Sequence, residues 1–271
     1  MAADGFLSVL AVVIPALFLV AGVYIYVALI RQISARPVEE PSIPPVRQFG
    51  WPEATLATVI VLFFVYSLAA SATLEIRAIQ TRDLVANALF SIGLLLFIAA
   101  FLRLRRFDLN SLGGFSKIGF GRAATTGGIL LLAAYPLVLL AEVITQKLAR
   151  GTLEKQGIVE LFNASSTLEQ RILIIILAVT VAPLAEEFFF RFFLYGVVKR
   201  YFGRGVGMVA SALLFAAVHA HLPSFAPLFV LGICFTIAYE WSGSLLVSMT
   251  MHALFNALAL TALAFPEVIP Q

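Results

Sequence analysis

The chain has 271 residues, 61% hydrophobic and only 12% charged, with a mean hydropathy of +1.01. So much apolar surface exceeds what a water-facing shell can cover, which excludes a soluble globule and makes the lipid bilayer the expected medium. The net charge of +3 would suggest nucleic acid in a soluble domain. In a membrane protein basic residues mainly set orientation, so no nucleic-acid partner is expected.

In chain order, the first apolar run, Phe6 to Ile30, is too long for a signal-peptide core and lacks a small-residue cleavage site, so it reads as a retained helix. Further spans fall at about 55–76, 84–102, 125–146, 168–198, 205–221, 225–240 and 245–265, each near the ~20 residues needed to cross a bilayer. The fold class is therefore all-α, a polytopic integral membrane protein of about eight transmembrane helices. Residues 37–52 (PVEEPSIPPVRQFGWP) read as a proline-rich cytoplasmic linker, because repeated prolines bar a helix. Residues 107–121 (FDLNSLGGFSKIGFG) read as an interfacial segment on the cytoplasmic face. These segments and the first three spans form an N-terminal part, 1–124, ahead of a core at 125–265. Residues 147–166 form the main outer loop, and Ser166 to Glu169 (STLE) match the capping box that starts helices. The Asn163-Ala164-Ser165 sequon is read as chance, and the single cysteine, Cys234, permits no internal disulfide.

Alternating these spans puts 11 Lys and Arg on one side and 6 on the other, with Arg191 inside a span. By the positive-inside rule the richer side is cytoplasmic and both termini lie outside. Short connections fit a prokaryotic plasma membrane.

Ionisable groups inside apolar runs are costly, about 2.5 to 3.5 kcal/mol each at a bilayer centre, and mark function by default. Residues 183–193 read PLAEEFFFRFF, and carry Glu186, Glu187 and Arg191. Glu187 and Arg191 are four apart and can pair on one helix face, while Glu186 is turned about 100° away and is left to look elsewhere. Pro183 lacks an N–H and is expected to kink the helix one turn before the carboxylates. His219 and His252 lie in later spans, and His252 shares a face with Asn256. Counted at 1.5 Å per residue, His252 lies ~10 Å from the cytoplasmic end and Glu186 ~30 Å from the outer end, which agree. His219 comes out ~21 Å from Gly205, too far outward for a shared site.

Glu186-Glu187-x-x-x-Arg191, Phe215-x-x-x-His219 and His252-x-x-x-Asn256, in that order on three late spans, resemble the CAAX protease and bacteriocin-processing (Abi) family of intramembrane endopeptidases, which includes type II CAAX prenyl proteases. The resemblance covers roughly residues 125–265 and implies a polar catalytic cavity within the bundle. It implies that Glu186 with His219 activates water, that His252 with Asn256 stabilises the oxyanion, and that Glu187, Arg191 and Phe215 support the site. The partners implied are a peptide or protein substrate, including a lipidated CAAX-like C-terminus, within the bilayer, with the active site opening toward the cytoplasm.

The same side chains offer a rival chemistry, since Glu186, His219 and His252 form a common catalytic zinc set. No His-Glu-x-x-His lies on one helix, and Asn256 suits hydrogen bonding, so the metal-free glutamate mechanism is favoured and no cofactor is expected. Structural roles compete too: Glu187 with Arg191 as a neutralised pair, and His252 with Asn256 as an interhelical clamp. A proton-coupled transporter and a non-catalytic immunity or scaffold protein are the other readings of buried Glu, His and Arg.

Overall fold

The computed structural model describes residues 2–36, 48–71, 80–149, 161–162, 165 and 167–265. Most of the proline-rich linker and of the outer loop, with Ser166 and Asn163, lies outside the described residues. All regular structure among the described residues is helical: α1 (Ala2–Ala35), α2 (Trp51–Ser71), α3 (Thr81–Leu104), α4 (Leu109–Gly113), α5 (Phe120–Ala149), α6 (Leu168–Ile176), α7 (Ala182–Glu187), α8 (Tyr195–Val218), α9 (Leu222–Ser242) and α10 (Leu245–Ala264). Helices are the expected result, because a chain crossing hydrocarbon must satisfy its backbone polar groups internally.

Among the described residues seven helices are long and apolar enough to cross a membrane, and one of them, Leu168–Val218, runs for 51 residues. At 1.5 Å per residue it would measure ~75 Å, more than twice the hydrocarbon thickness. Gly203 divides it, with φ 82° and ψ 171°, a backbone open to glycine and strained for other residues. Beyond it the chain doubles back: Gly207 lies against Tyr195, and Ser211 donates to the carbonyl of Phe190 at 2.8 Å. The 51-residue helix thus makes two antiparallel runs, which yields the eight passes read from the sequence.

The segment 177–194 sits at the centre of the bundle. Every side chain from Phe188 to Leu194 is buried, and they form a core with α2, α5, α9 and α10. Helices α1 to α3 lie at the periphery and expose large apolar side chains such as Leu17, Tyr66 and Leu89. Such a surface is what a lipid environment covers.

Three local expectations need correction. The cap of α6 is Thr167, whose hydroxyl accepts from the Gln170 N–H at 3.2 Å. At Pro183 the helix continues unbroken. The chain instead takes a π-helical turn over Leu177–Val181, in which the Ala182 N–H reaches the Leu177 carbonyl, and a second over Phe188–Leu194. A widened turn absorbs the ring of Pro183 without breaking the helix, and such turns are frequent at functional sites. The third correction concerns depth. Ser244, Leu245 and Val247 are fully buried. Gly114 (φ 63°), just after α4, packs so closely on the Gly243 carbonyl that a Cβ there would overlap it. Helix α10 therefore begins inside the protein, and counting from Leu245 as a surface residue placed His252 too shallow. His252 and His219 meet in one cavity for that reason.

The basic end of the bundle is knitted together. Arg36 donates to the carbonyls of Glu240 and Trp241 at 2.9 and 2.6 Å, and Arg204 to that of Ile33 at 3.0 Å. Lys199 and Arg204 pair with the Glu240 carboxylate at 2.7 and 3.1 Å. Buried Glu53 pairs with Arg105 at 2.9 Å and accepts from the Gly50 N–H at 2.7 Å. The sequence reading included neither Glu53 nor Glu240, because both sit at the margins of apolar runs.

Candidate active site

A cavity of about 1090 Å³ occupies the other half of the bundle. Glu186, His219, His252, Asn256 and Phe215 all line it. Burial falls off along it. His252 is buried, Glu186 is partly exposed and His219 is exposed at the end of α8. Both imidazoles were expected to be buried, so His219 differs in this respect.

The two adjacent glutamates approach one imidazole from different sides. Glu187 Oε1 lies 3.0 Å from His252 Nδ1, and Glu186 Oε2 lies 3.9 Å from His252 Nε2. A carboxylate can only accept, so Nδ1 carries a hydrogen donated to Glu187 and Nε2 is directed at the cavity side. The ring is clamped by a stacked contact with Phe235, centroids 4.9 Å apart, and an edge contact with Phe215 at 5.7 Å. Glu186 Oε2 is buried and has no hydrogen-bond partner.

Arg191 is fully buried and shares the same Glu187 oxygen at 3.1 Å. Its guanidinium lies over the rings of Phe215, Phe235 and Phe190, at 4.2, 5.1 and 5.7 Å from their centroids. The cation is thus held by one carboxylate and an aromatic cage, an arrangement that desolvation strengthens. Phe215 is the common wall: it contacts Arg191 on one side and the rings of His219 and His252 on others.

His219 Nδ1 lies 2.7 Å from the Phe215 carbonyl, four residues back in α8. A carbonyl only accepts, so Nδ1 bears the hydrogen and Nε2 is an acceptor in the neutral ring. Ala220 follows with φ 50°, and turns the chain toward α9 at this point.

Asn256 was paired with His252 on the sequence pattern, yet its amide Nδ2 donates to the Ala178 carbonyl at 2.8 Å. The reason lies in the π turn. The Ala182 N–H is given to Leu177, and in π register the donor for Ala178 would be residue 183, a proline with no N–H. Asn256 supplies the donor that Pro183 lacks. One of its two amide hydrogens remains for the cavity.

Among the described residues, no three His, Cys, Asp or Glu side chains are grouped as a metal site. With Nδ1 of His252 on Glu187 and Nε2 facing Glu186, the ring has the orientation that carboxylate support gives a histidine facing either a metal ion or a water. The cavity also holds residues outside the sequence-based set, among them Asn87, Glu142 and Gln146. Glu142 is an ionisable residue within an apolar run, so the criterion that singled out Glu186 would have found it. Nothing in the spacing of α10 could have foretold its bonds to Glu187 and Ala178.

The fold and site define a polytopic helical membrane protein with a buried glutamate, histidine and arginine constellation beneath an open cavity. Residues 168–258 match the family model described as Type II CAAX prenyl endopeptidase Rce1-like, which covers all three motifs. The match supports the CAAX protease family and, at the level of that family, an intramembrane CAAX-type endopeptidase. Searches of curated proteins and of solved structures returned no match.

Proposed function

We propose that this protein hydrolyses a peptide bond by water activated between Glu186 and His219, without a metal. The observation that carries the reading is Glu186 itself: a carboxylate oxygen with no hydrogen-bond partner, 3.9 Å from His252 Nε2, in a cavity it shares with His219.

Glu186 and the Nε2 of His219 are both acceptors, suited to the two hydrogens of one water. Proton transfer to Glu186 as the water attacks the carbonyl carbon is general-base catalysis. The developing oxyanion needs donors. Asn256 offers its remaining amide hydrogen, and His252 in its imidazolium form offers Nε2–H. Glu186 then returns the proton to the leaving amine. Arg191 neutralises Glu187, which keeps His252 oriented. The substrate is a peptide or protein segment reached from the bilayer, including a prenylated C-terminus as one candidate.

The test is cleavage of tagged peptides, prenylated and unprenylated, by the purified protein with and without a chelator, beside Glu186→Ala. Cleavage that persists with chelator and disappears in Glu186→Ala is the expected result. Full activity in Glu186→Ala would refute it, and loss on chelation alone would favour zinc.

A further inference from the structure

We infer that helices α2 and α3 form the wall that holds the main chain of the substrate beside Glu186, with Ser67, Asn87 and Ser91 as the residues that bind it. The inference rests on the protease reading for what is bound there.

The first observation is placement. Phe64 of α2 lies against Phe189, three residues beyond Glu186, with ring centroids 5.3 Å apart, and Phe90 of α3 lies against Phe64 at 6.4 Å. Gln170 donates to the Thr81 hydroxyl at 2.7 Å and ties the start of α3 to α6. The two helices are thus fastened to the segment that carries the glutamates. Ser67 of α2 and Asn87 and Ser91 of α3 line the same cavity as Glu186. Ser67 stands three residues after Phe64, and Asn87, Ser91 and Leu94 fall four and three apart, so each set occupies one helix face.

The second observation is that these polar groups are spare. Hydroxyls elsewhere in the bundle are used internally: Thr55, Thr58, Thr125, Thr145, Thr236 and Thr261 each donate to the carbonyl four residues back, the usual resort of a hydroxyl on a helix. Ser71, one turn beyond Ser67 and also at the cavity, donates to the Leu68 carbonyl at 2.8 Å. Ser67, Asn87 and Ser91 hold no hydrogen bond with any described residue. A polar side chain on a lipid-exposed helix is costly unless it faces water or a bound group. All three face the cavity.

The third is chemistry. A hydroxyl and a carboxamide each donate and accept, and an extended peptide offers N–H and C=O groups in alternation. Pairing with fixed polar groups holds such a chain whatever its side chains are. Water attack needs the carbonyl carbon fixed within about 3 to 3.5 Å of the nucleophile. Glu186, His219, His252 and Asn256 are engaged with the water and the oxyanion, which leaves the holding to other groups. Helices α2 and α3 lie outside the matched residues 168–258, so chemistry and grip come from separate parts of the chain.

The test separates binding from turnover. Ser67→Ala, Asn87→Ala and Ser91→Ala are each expected to raise KM about 2- to 12-fold, the equivalent of one hydrogen bond, with kcat and melting temperature unchanged. Ser71→Ala, whose hydroxyl is already used, is expected to leave KM as it is. Unchanged KM in all three variants, or an equal rise in Ser71→Ala, would overturn the inference. A second arm needs no cleavage. In Glu186→Gln/Ser91→Cys, a prenylated peptide with a second cysteine activated as its thiopyridyl disulfide is expected to form a mixed disulfide. Glu186→Gln/Leu89→Cys, changed at an exposed position outside the cavity lining, is expected to form none, and buried Cys234 leaves a quiet background. Equal reaction at the two positions would also overturn the inference. Wild-type cleavage by Glu186→Ala would remove the protease reading alone, and the disulfide arm would still decide the wall.

Discussion

One oxygen of Glu187 lies 3.0 Å from Nδ1 of His252 and 3.1 Å from the guanidinium of Arg191. A single buried carboxylate thereby joins a structural cation on its own helix to a cavity residue on another. The pair looked from spacing like mere neutralisation, and its second role is to orient an imidazole.

Removing Glu187 leaves Arg191 buried without a counter-charge, and breaking a buried ion pair costs about 3 to 5 kcal/mol. Glu187→Gln should lower the melting temperature in detergent sharply. The double variant Glu187→Leu/Arg191→Met should recover much of that stability, because an apolar replacement of both partners is often neutral. It should not recover cleavage, since His252 has lost its acceptor; a double variant with wild-type turnover would show that Glu187 does not orient the ring.

Glu186→Gln keeps the shape and removes the base. Turnover should fall by about 100- to 10,000-fold, the usual contribution of general acid–base catalysis. The melting temperature should stay close to wild type, because Glu186 Oε2 makes no hydrogen bond that the change would break. A large loss of stability would assign Glu186 to the scaffold instead.

Asn256→Ala strips the Ala178 carbonyl of its donor, at a cost of about 1 to 3 kcal/mol for an unsatisfied buried group. Pro183→Ala restores a backbone N–H at the register position that the proline blocks. In a double-mutant cycle the two changes should be less destabilising together than their sum. Strict additivity would mean that the amide does not stand in for the missing N–H.

Gly203→Ala tests the fold-back. No neighbouring atom lies within 4 Å of a Cβ built there, so any loss comes from the backbone at φ 82°. Residues held in such conformations cost about 1 to 3 kcal/mol, readable as a shift in thermal unfolding. An unchanged melting temperature would mean that the reversal tolerates an L residue.

Composition and apolar run length were enough to establish a membrane protein of eight passes, because hydrocarbon demands helices of a fixed length. Spacing along one helix was enough to pair Glu187 with Arg191 and to leave Glu186 free, since residues four apart share a face whatever surrounds them. Tertiary structure decided the rest. That Glu187 holds His252, that Asn256 serves Ala178, and that His219 lines the same cavity all depend on how far each helix is sunk and turned against its neighbours. The burial of Ser244 beneath the chain following α4 is the plainest case: a depth counted from sequence assumes that a helix starts at the surface, and only packing reveals that this one does not.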